Sequence, residues 1–363
     1  MTTAQVDDQA ALDEGSALTG RLFEALIGSL ELATVHLGHR LGLYDALRVP
    51  GTVADVAAAS GVEERYAQEW LEQQAIAGFI SVAEVGDSAT RRYVLSDGQA
   101  LALAEPESPV YGGMLAGMTI GLADLMPRLL AVYRTGEGIT FGEFGDEIRD
   151  GQGLFNRAAF LEALPNEWLP LLPDVTALLS RPDARALDLG CGVGWSSIAL
   201  AQHLPDLSVL GVDSDDASIM DARANADQAG LSERVRFEVV DAAAETTASY
   251  DVAFIFEALH DMAHPVEVLR AARKVLRPGG LVVVMDERAE EEFTPNAGEI
   301  ERALAGFSVL HCLPVGRSEP GSAATGTVFR PSTMYRYAEQ AGFSSCVIAP
   351  IQHDLFRFYV LTP

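Results

Sequence analysis

Apolar positions open the chain at helical spacing. Leu18, Leu22, Leu26 and Leu30 stand four apart beside Phe23 and Ile27, and the stripe continues through Val35, Leu37 and Leu41. A face repeated every three to four residues predicts helix over 16–48. Such a stripe is covered either by a partner helix of its own domain or by a second copy of the chain. Thr52 starts a further helix that Ser60-Gly61 breaks, and another runs from about 63 to 77 and stops at Gly78. Two strands follow, 79–85 and 91–95, joined by a Gly86-Asp87-Ser88 turn.

Residues 106–180 read as helices with a Gly-rich break over 135–153. The first helical part carries Tyr111, Met114, Met118, Met126 and Tyr133, and the second Phe155, Asn156, Phe160, Leu164, Trp168 and Leu171. Methionines and aromatics at this spacing form plain core, or wall an apolar cavity between a helical cap and a sheet. In the second case Gln152 and Asn156 are the polar groups placed to orient a substrate, with Tyr111, Met114 and Trp168 as apolar wall. From 185 onward strand and helix signals alternate, with strands expected at 185–189, 207–212, 235–240, 251–256, 280–286, 344–350 and 355–361. That alternation predicts an α/β, doubly wound sheet. The expected domains are 1–105, a helical and winged-helix dimerisation domain; 106–180, a connector and substrate cap; and 181–363, the sheet domain.

Charge narrows the partners. The 363-residue chain has a formal net charge of −27, and the second helix of the helix-turn-helix-hairpin pattern carries Glu63, Glu64, Glu69 and Glu72 against a single Arg65. A nucleic-acid backbone would be repelled there, so the winged helix is read as a dimerisation or lid element with no nucleic-acid partner. No apolar run reaches the ~20 residues of a membrane span, and 1–13 has no signal-peptide pattern, so a cytoplasmic protein without a membrane partner is expected. Cys191, Cys312 and Cys346 are scattered, which excludes a disulfide framework and a structural zinc site of the usual spacing.

The chemistry centres on Asp188-Leu-Gly190-Cys191-Gly192-Val-Gly194, which ends an apolar strand and opens a helix. Its glycines let the backbone turn sharply while the first helical N–H groups face a ligand. A dinucleotide fingerprint would need glycine where Ser197 stands, and a phosphate loop would need Gly-Lys, whereas the single lysine is Lys274. Asp213 follows the next strand, 19 residues after Gly194, where an acid can accept both hydroxyls of an adenosine ribose. Its competing reading is a helix cap, a role that Ser214 or Asp215 can also fill.

Asp188-x-Gly190-x-Gly192-x-Gly194 resembles the first motif of the class I S-adenosylmethionine-dependent methyltransferases. The resemblance extends through Asp213, Asp241-Ala242, Phe256-Glu257, Arg277-Pro-Gly-Gly280 and the closing strand pair around Ile351-Gln-His-Asp354. With the winged-helix half, the chain is similar to small-molecule O-methyltransferases that carry an N-terminal dimerisation domain. The resemblance implies a Rossmann-like sheet with an antiparallel last strand, S-adenosylmethionine as cofactor with S-adenosylhomocysteine as product, a small-molecule substrate and a homodimer. It places Asp188 and the Gly190 carbonyl at the cofactor's amino-acid end, with Cys191, Gly192 and Gly194 completing the loop. Asp213 and Ser214 fall at the ribose, Asp241 and Ala242 at the adenine, and Phe256 and Glu257 on the path to the methyl group.

In the same family a His-Asp pair after the fourth strand supplies a general base. The matching segment is Ala258-Leu-His260-Asp261-Met262-Ala-His264-Pro265, so His260 is the expected base beside Asp261. Met262 stands where the family usually has tryptophan. His311, on a helix after the fifth strand, is expected to face the site, and 316–330 to form a lid or a surface loop. Arg317 and Arg330 are placed to meet an anionic substrate. Three alternatives stay open. A metal held by His260 and His311 could assist C-methylation of a keto acid, although two histidines are too few and Glu257, Asp286, water or substrate oxygens would have to join. The winged helix could instead make the chain a cofactor-sensing regulator without catalysis. The same fold and cofactor could also serve chemistry other than methyl transfer.

Overall fold

The computed structural model describes residues 3–243 and 249–363, with side chains from residue 9 onward. The chain divides into two compact units, 1–120 and 121–363.

The first unit begins with α1 (Thr3–Arg40), a single helix where a helix pair was one of two expectations. Leu18, Leu22, Leu26 and Leu30 remain 51–64% exposed, so no element of this unit covers the stripe. Packing starts at Val35 and joins Leu43, Leu47, Val56, Leu71 and Tyr93 in one core. Around it lie α2 (Val53–Ser60), held by a Thr52–Asp55 capping box, and α3 (Glu64–Ala77), which stops at Gly78 in the left-handed conformation. Strands β1 (Ser81–Glu84) and β2 (Arg92–Val94) form the wing, followed by α4 (Asp97–Leu103) and α5 (Met114–Asp124).

The second unit continues with α6 (Met126–Thr135), α7 (Gly145–Ala158), a π-helical turn Ala159–Trp168 and α8 (Pro173–Leu179). The Gly-rich break expected over 135–153 is shorter than the composition suggested. A Thr140–Glu143 capping box closes it, and α7 runs through Gly151 and Gly153. Tertiary packing decides this: a Cβ on Gly153 would lie 2.8 Å from Val193, so glycine lets α7 press against the loop after the next strand.

The sheet order is β5-β4-β3-β6-β7-β9-β8, with β3 (Arg185–Leu189), β4 (Ser208–Asp213), β5 (Val235–Val239), β6 (Tyr250–Phe256) and β7 (Leu276–Glu287) parallel. β9 (Phe356–Thr362) runs antiparallel between β7 and β8 (Ser345–Ile348). Helices α9 (Trp195–His203), α10 (Asp216–Gln228), α11 (Pro265–Lys274), α12 (Glu299–Phe307), α13 (Leu313–Gly316) and α14 (Pro331–Ala341) complete the unit. Alternate residues of one strand feed opposite cores. Phe254 and Phe256 pack with Trp168 and Phe358, whereas Ala253 and Ile255 pack with Leu269 and Met334. The strand order reverses at β3, so a ligand site is expected beyond the carboxyl ends of β3, β4 and β6.

Candidate cofactor and acceptor site

The glycine loop is shaped by contacts on both sides. Gly190 and Gly194 have φ of 75° and 87°, and a Cβ there would lie 2.7 Å from Ala258 and 2.6 Å from Phe237. Gly192 also has positive φ but faces open space. Asp188 lies beneath the loop. It is fully buried, accepts the Ser196 and Ser197 hydroxyls on Oδ2 at 2.6 Å each, and leaves Oδ1 without a partner. Burial pushes its carboxyl up to about 6 despite those two donors. Expected at the cofactor's amino-acid end, it is not itself on the cavity lining and holds the first turn of α9, whose Ser196 is.

Asp213 is placed differently. Its Oδ2 accepts the Gly192 N–H at 2.9 Å and its Oδ1 the Asp215 N–H at 3.0 Å. Each oxygen retains a further lone pair. The capping role falls to Asp215, which accepts the Ser218 N–H at 2.9 Å and its hydroxyl at 2.7 Å, so Asp213 is free to face the cavity. Ser214, Asp241, Ala242 and Phe256 line the same cavity, with Cys191 in the loop.

That cavity measures about 630 Å³ and lies within the second unit. α7 contributes Gln152 and Asn156 to the lining, and the end of β6 with the segment after it contributes Glu257, Asp261, Met262 and His264. The other expected pocket residues sit elsewhere. Trp168 is 2% exposed in the core, its ring 4.9 Å from that of Phe358, because its face of the π-helical turn packs on the sheet. Tyr111 packs edge-on to His39 in the first unit, and Met114 begins α5 there. His311 is 4% exposed behind the cavity wall, 4.4 Å from the Phe144 ring centroid and with Nδ1 4.0 Å from Asp261.

A buried ionic cluster lies where the base was expected. His260 is 1% exposed, with Nδ1 2.8 Å from Asp286 and 2.9 Å from Glu287, and Nε2 3.2 Å from Asp261. Both ring nitrogens are therefore engaged by carboxylates, and Asp261 rather than His260 lines the cavity. Burial alone would lower the imidazole's pKa, but Glu287, Asp261 and Asp286 together hold it well above its ordinary value. Burial likewise disfavours the Asp261 charge, yet the adjacent imidazolium keeps that carboxyl below the usual range. Glu287, at the end of β7, is the partner that sequence reading missed. No local sequence pattern records the contact, because β6 and β7 meet only in the folded sheet.

Glu257 is a further carboxylate on the lining, directly after β6. Its φ of 51° is a left-handed conformation rare for a side-chain-bearing residue. Asn156 hydrogen-bonds its carboxylate, and its Oε2 is sealed from solvent with no partner. Burial pushes this carboxyl up to about 7, against the pull of His260.

Basic groups are turned away. Arg149, on the lining, is bound by Asp146 at 2.6 Å and Asp221 at 3.1 Å, and His264 lies 3.3 Å from Glu319. Arg317 donates to the Gly136 carbonyl at 2.7 Å, and Arg330 pairs with Glu301 at 3.1 Å. Neither arginine therefore stands where an anionic substrate was expected to meet it. The segment after α13 is tied down by Ala323 N–H to the Ala263 carbonyl at 2.8 Å and by buried Thr327 and Phe329, and its Ser318 and Glu319 line the cavity. Donor atoms close enough to share a metal are His260 with Asp286 and Glu287, or His260 with Asp261 and Cys312. His311 belongs to neither set.

Comparison with known proteins agrees with this architecture. The family described as a methyltransferase domain matches residues 180–339, and that described as an Rv2258c-like winged HTH domain matches 29–105. The trans-aconitate 2-methyltransferase of Deinococcus radiodurans is 36% identical over 141 residues, which are 37% of this chain and 52% of that protein. The chain spans about half to two thirds of the length of the curated relatives it matches. Among solved structures, a putative O-methyltransferase from Nostoc punctiforme superposes with a TM-score of 0.70 at 19% identity, covering 95% of this chain and 98% of that one. Human N-acetylserotonin methyltransferase, solved with S-adenosylmethionine, gives 0.65 at 18% identity, covering 95% and 97%. Residues 180–339 thus form a methyltransferase domain, preceded at 29–105 by a winged-helix domain of the Rv2258c-like type, on a fold shared with solved O-methyltransferases.

Proposed function

We propose that the protein transfers a methyl group from S-adenosylmethionine to an oxygen of a small molecule and works as a homodimer. The observation that carries this reading is one cavity whose lining brings together the glycine loop, Asp213 and the carboxylates of Glu257 and Asp261. The residues fit the cofactor. Gly192 leaves open space that a side chain would fill, and Asp213 has lone pairs left for two ribose hydroxyls. Asp241 and Ala242 line the same cavity and are assigned to its adenine end.

The bound cofactor supplies an activated methyl group whose departure needs no acid. The chain's own task is to align the acceptor oxygen and remove its proton. Glu257, with a carboxyl near 7, is matched to accept that proton at neutral pH, and Asn156 fixes its orientation. His260 acts through Asp261 as a positioning residue and keeps that carboxylate charged. A second reading retains His260 as the base. Its Nε2 contact to Asp261 is long at 3.2 Å, and a turn of the Asp261 side chain would open the nitrogen to the cavity.

The test is incubation with S-adenosylmethionine and a panel of phenolic and enolic hydroxyl compounds, following S-adenosylhomocysteine. The reading expects product from at least one compound, a large loss of rate in Glu257→Gln and a smaller one in His260→Gln. The reverse order selects the second reading. Tight cofactor binding without turnover of any compound would turn the assignment toward a cofactor sensor.

A further inference from the structure

We infer that the acceptor half of the cavity takes neutral or cationic hydrogen-bond donors and rejects anionic acceptors such as carboxylates. This deepens, and rests on, the methyltransferase reading. Glu257 and Asp261 line the side of the cavity beyond β6, and Glu319 lies on the same rim. Among the described lining residues, the one arginine, Arg149, is held by Asp146 and Asp221, and the one histidine, His264, by Glu319. Arg157 covers the Trp195 ring, 4.6 Å from its centroid, and is not part of the lining. Arg317 and Arg330 are bound to Gly136 and Glu301.

An anionic acceptor would therefore approach two carboxylates, with no unpaired arginine among the described lining residues to meet it and the His260 imidazolium already shared by Asp261, Asp286 and Glu287. Like charges brought together away from water repel. A hydroxyl, phenol or ammonium group instead finds acceptors already in place. The lining residues Glu257, Asp261 and Asn156 supply them, and a turn of the side chain would bring the sealed, unpartnered Glu257 Oε2 or Asn156 Oδ1 to the ligand. Buried acceptors left unmatched select for a ligand that donates to them. The positive φ of Glu257 strengthens the case, because a strained conformation persists where the surrounding structure holds it.

The experiment uses three compounds that share a dihydroxyphenyl ring and differ in charge: dopamine, catechol and 3,4-dihydroxybenzoate. Each is titrated at pH 8 into full-length protein loaded with S-adenosylhomocysteine, with binding read by saturation-transfer NMR. Trans-aconitate serves as a polyanion. The inference expects dopamine and catechol to bind at least about tenfold more tightly than 3,4-dihydroxybenzoate. Trans-aconitate should give no signal, the gap should narrow in 0.5 M salt as screening shortens to about 4 Å, and it should narrow again in Glu257→Gln. Equal or tighter binding of either carboxylate overturns it. So does the absence of binding by all four while S-adenosylhomocysteine binds. If S-adenosylhomocysteine itself does not bind, the methyltransferase reading fails first, and the two failures are told apart.

Discussion

The Nδ1 of His260 lies 2.8 Å from the Oδ1 of Asp286, and the two side chains are 1% and 0% exposed. The pair joins the segment after β6 to the end of β7 and fixes where Asp261 enters the cavity. A buried ion pair contributes little net stability against an apolar replacement, but removing one member leaves the other charge uncompensated. Asp286→Ala is therefore expected to destabilise the second unit by about 3–5 kcal/mol. Urea unfolding of the full-length protein measures this, and a change under about 1 kcal/mol would mean that Glu287 alone holds the imidazole.

The glycine loop gives a second expectation. Gly190 combines φ of 75° with a Cβ position 2.7 Å from Ala258, so alanine there is strained and also collides with the segment that carries Asp261. Gly190→Ala should cost about 1–3 kcal/mol and abolish calorimetric binding of S-adenosylhomocysteine. Retained affinity in a stable variant would show that the turn tolerates a side chain.

These two sites differ in how readable they were. β4 and β6 are announced by apolar runs closed by Asp213 and Glu257, as strands inside a parallel sheet are, whereas the edge strand β5 alternates Val235 and Phe237 with exposed Arg236 and Glu238. Spacing from the loop singled out Asp213. The contacts of His260 were not legible, since Asp286 and Glu287 reach it across neighbouring strands and no local pattern records that pairing. Helix α7 was hidden for a related reason. Its glycines argue against helix by propensity, and only the close approach of Gly153 to Val193 explains them. Trp168 and Phe160 share one helical stripe and one core, yet Phe160 also lines the cavity and Trp168 does not, a distinction that periodicity does not carry.

Glu257 makes stability depend on pH. Its folded carboxyl, raised to about 7 from an ordinary 4.5, keeps a proton that the unfolded chain releases. The unfolded state then binds fewer protons between those values, so this group's contribution to stability falls as pH rises through the window. Glu257→Gln mimics the protonated form and lacks the effect. Relative to the variant, wild-type Tm should drop between pH 5 and pH 8. Parallel Tm profiles would place the Glu257 carboxyl in an ordinary, solvated environment.

The uncovered stripe of α1 bears on assembly. Leu22 and Leu26 are 64% and 51% exposed on a helix with Leu18, Phe23 and Leu30 also in solvent. An apolar face of this length is a usual mark of an interface. Light scattering should report a dimer for the wild type and a monomer for the Leu22→Glu, Leu26→Glu double variant. A wild-type monomer would contradict the proposed homodimer.

The central claim is that the cavity beside the glycine loop holds S-adenosylmethionine through Asp213. Calorimetric titration with S-adenosylmethionine and S-adenosylhomocysteine tests it directly. The account predicts one-to-one binding to the wild type and about 10- to 100-fold weaker binding to Asp213→Ala, the value of charge-assisted hydrogen bonds to a ribose. Equal affinity in the variant, or no binding of either compound to folded wild-type protein free of carried-over ligand, would contradict it.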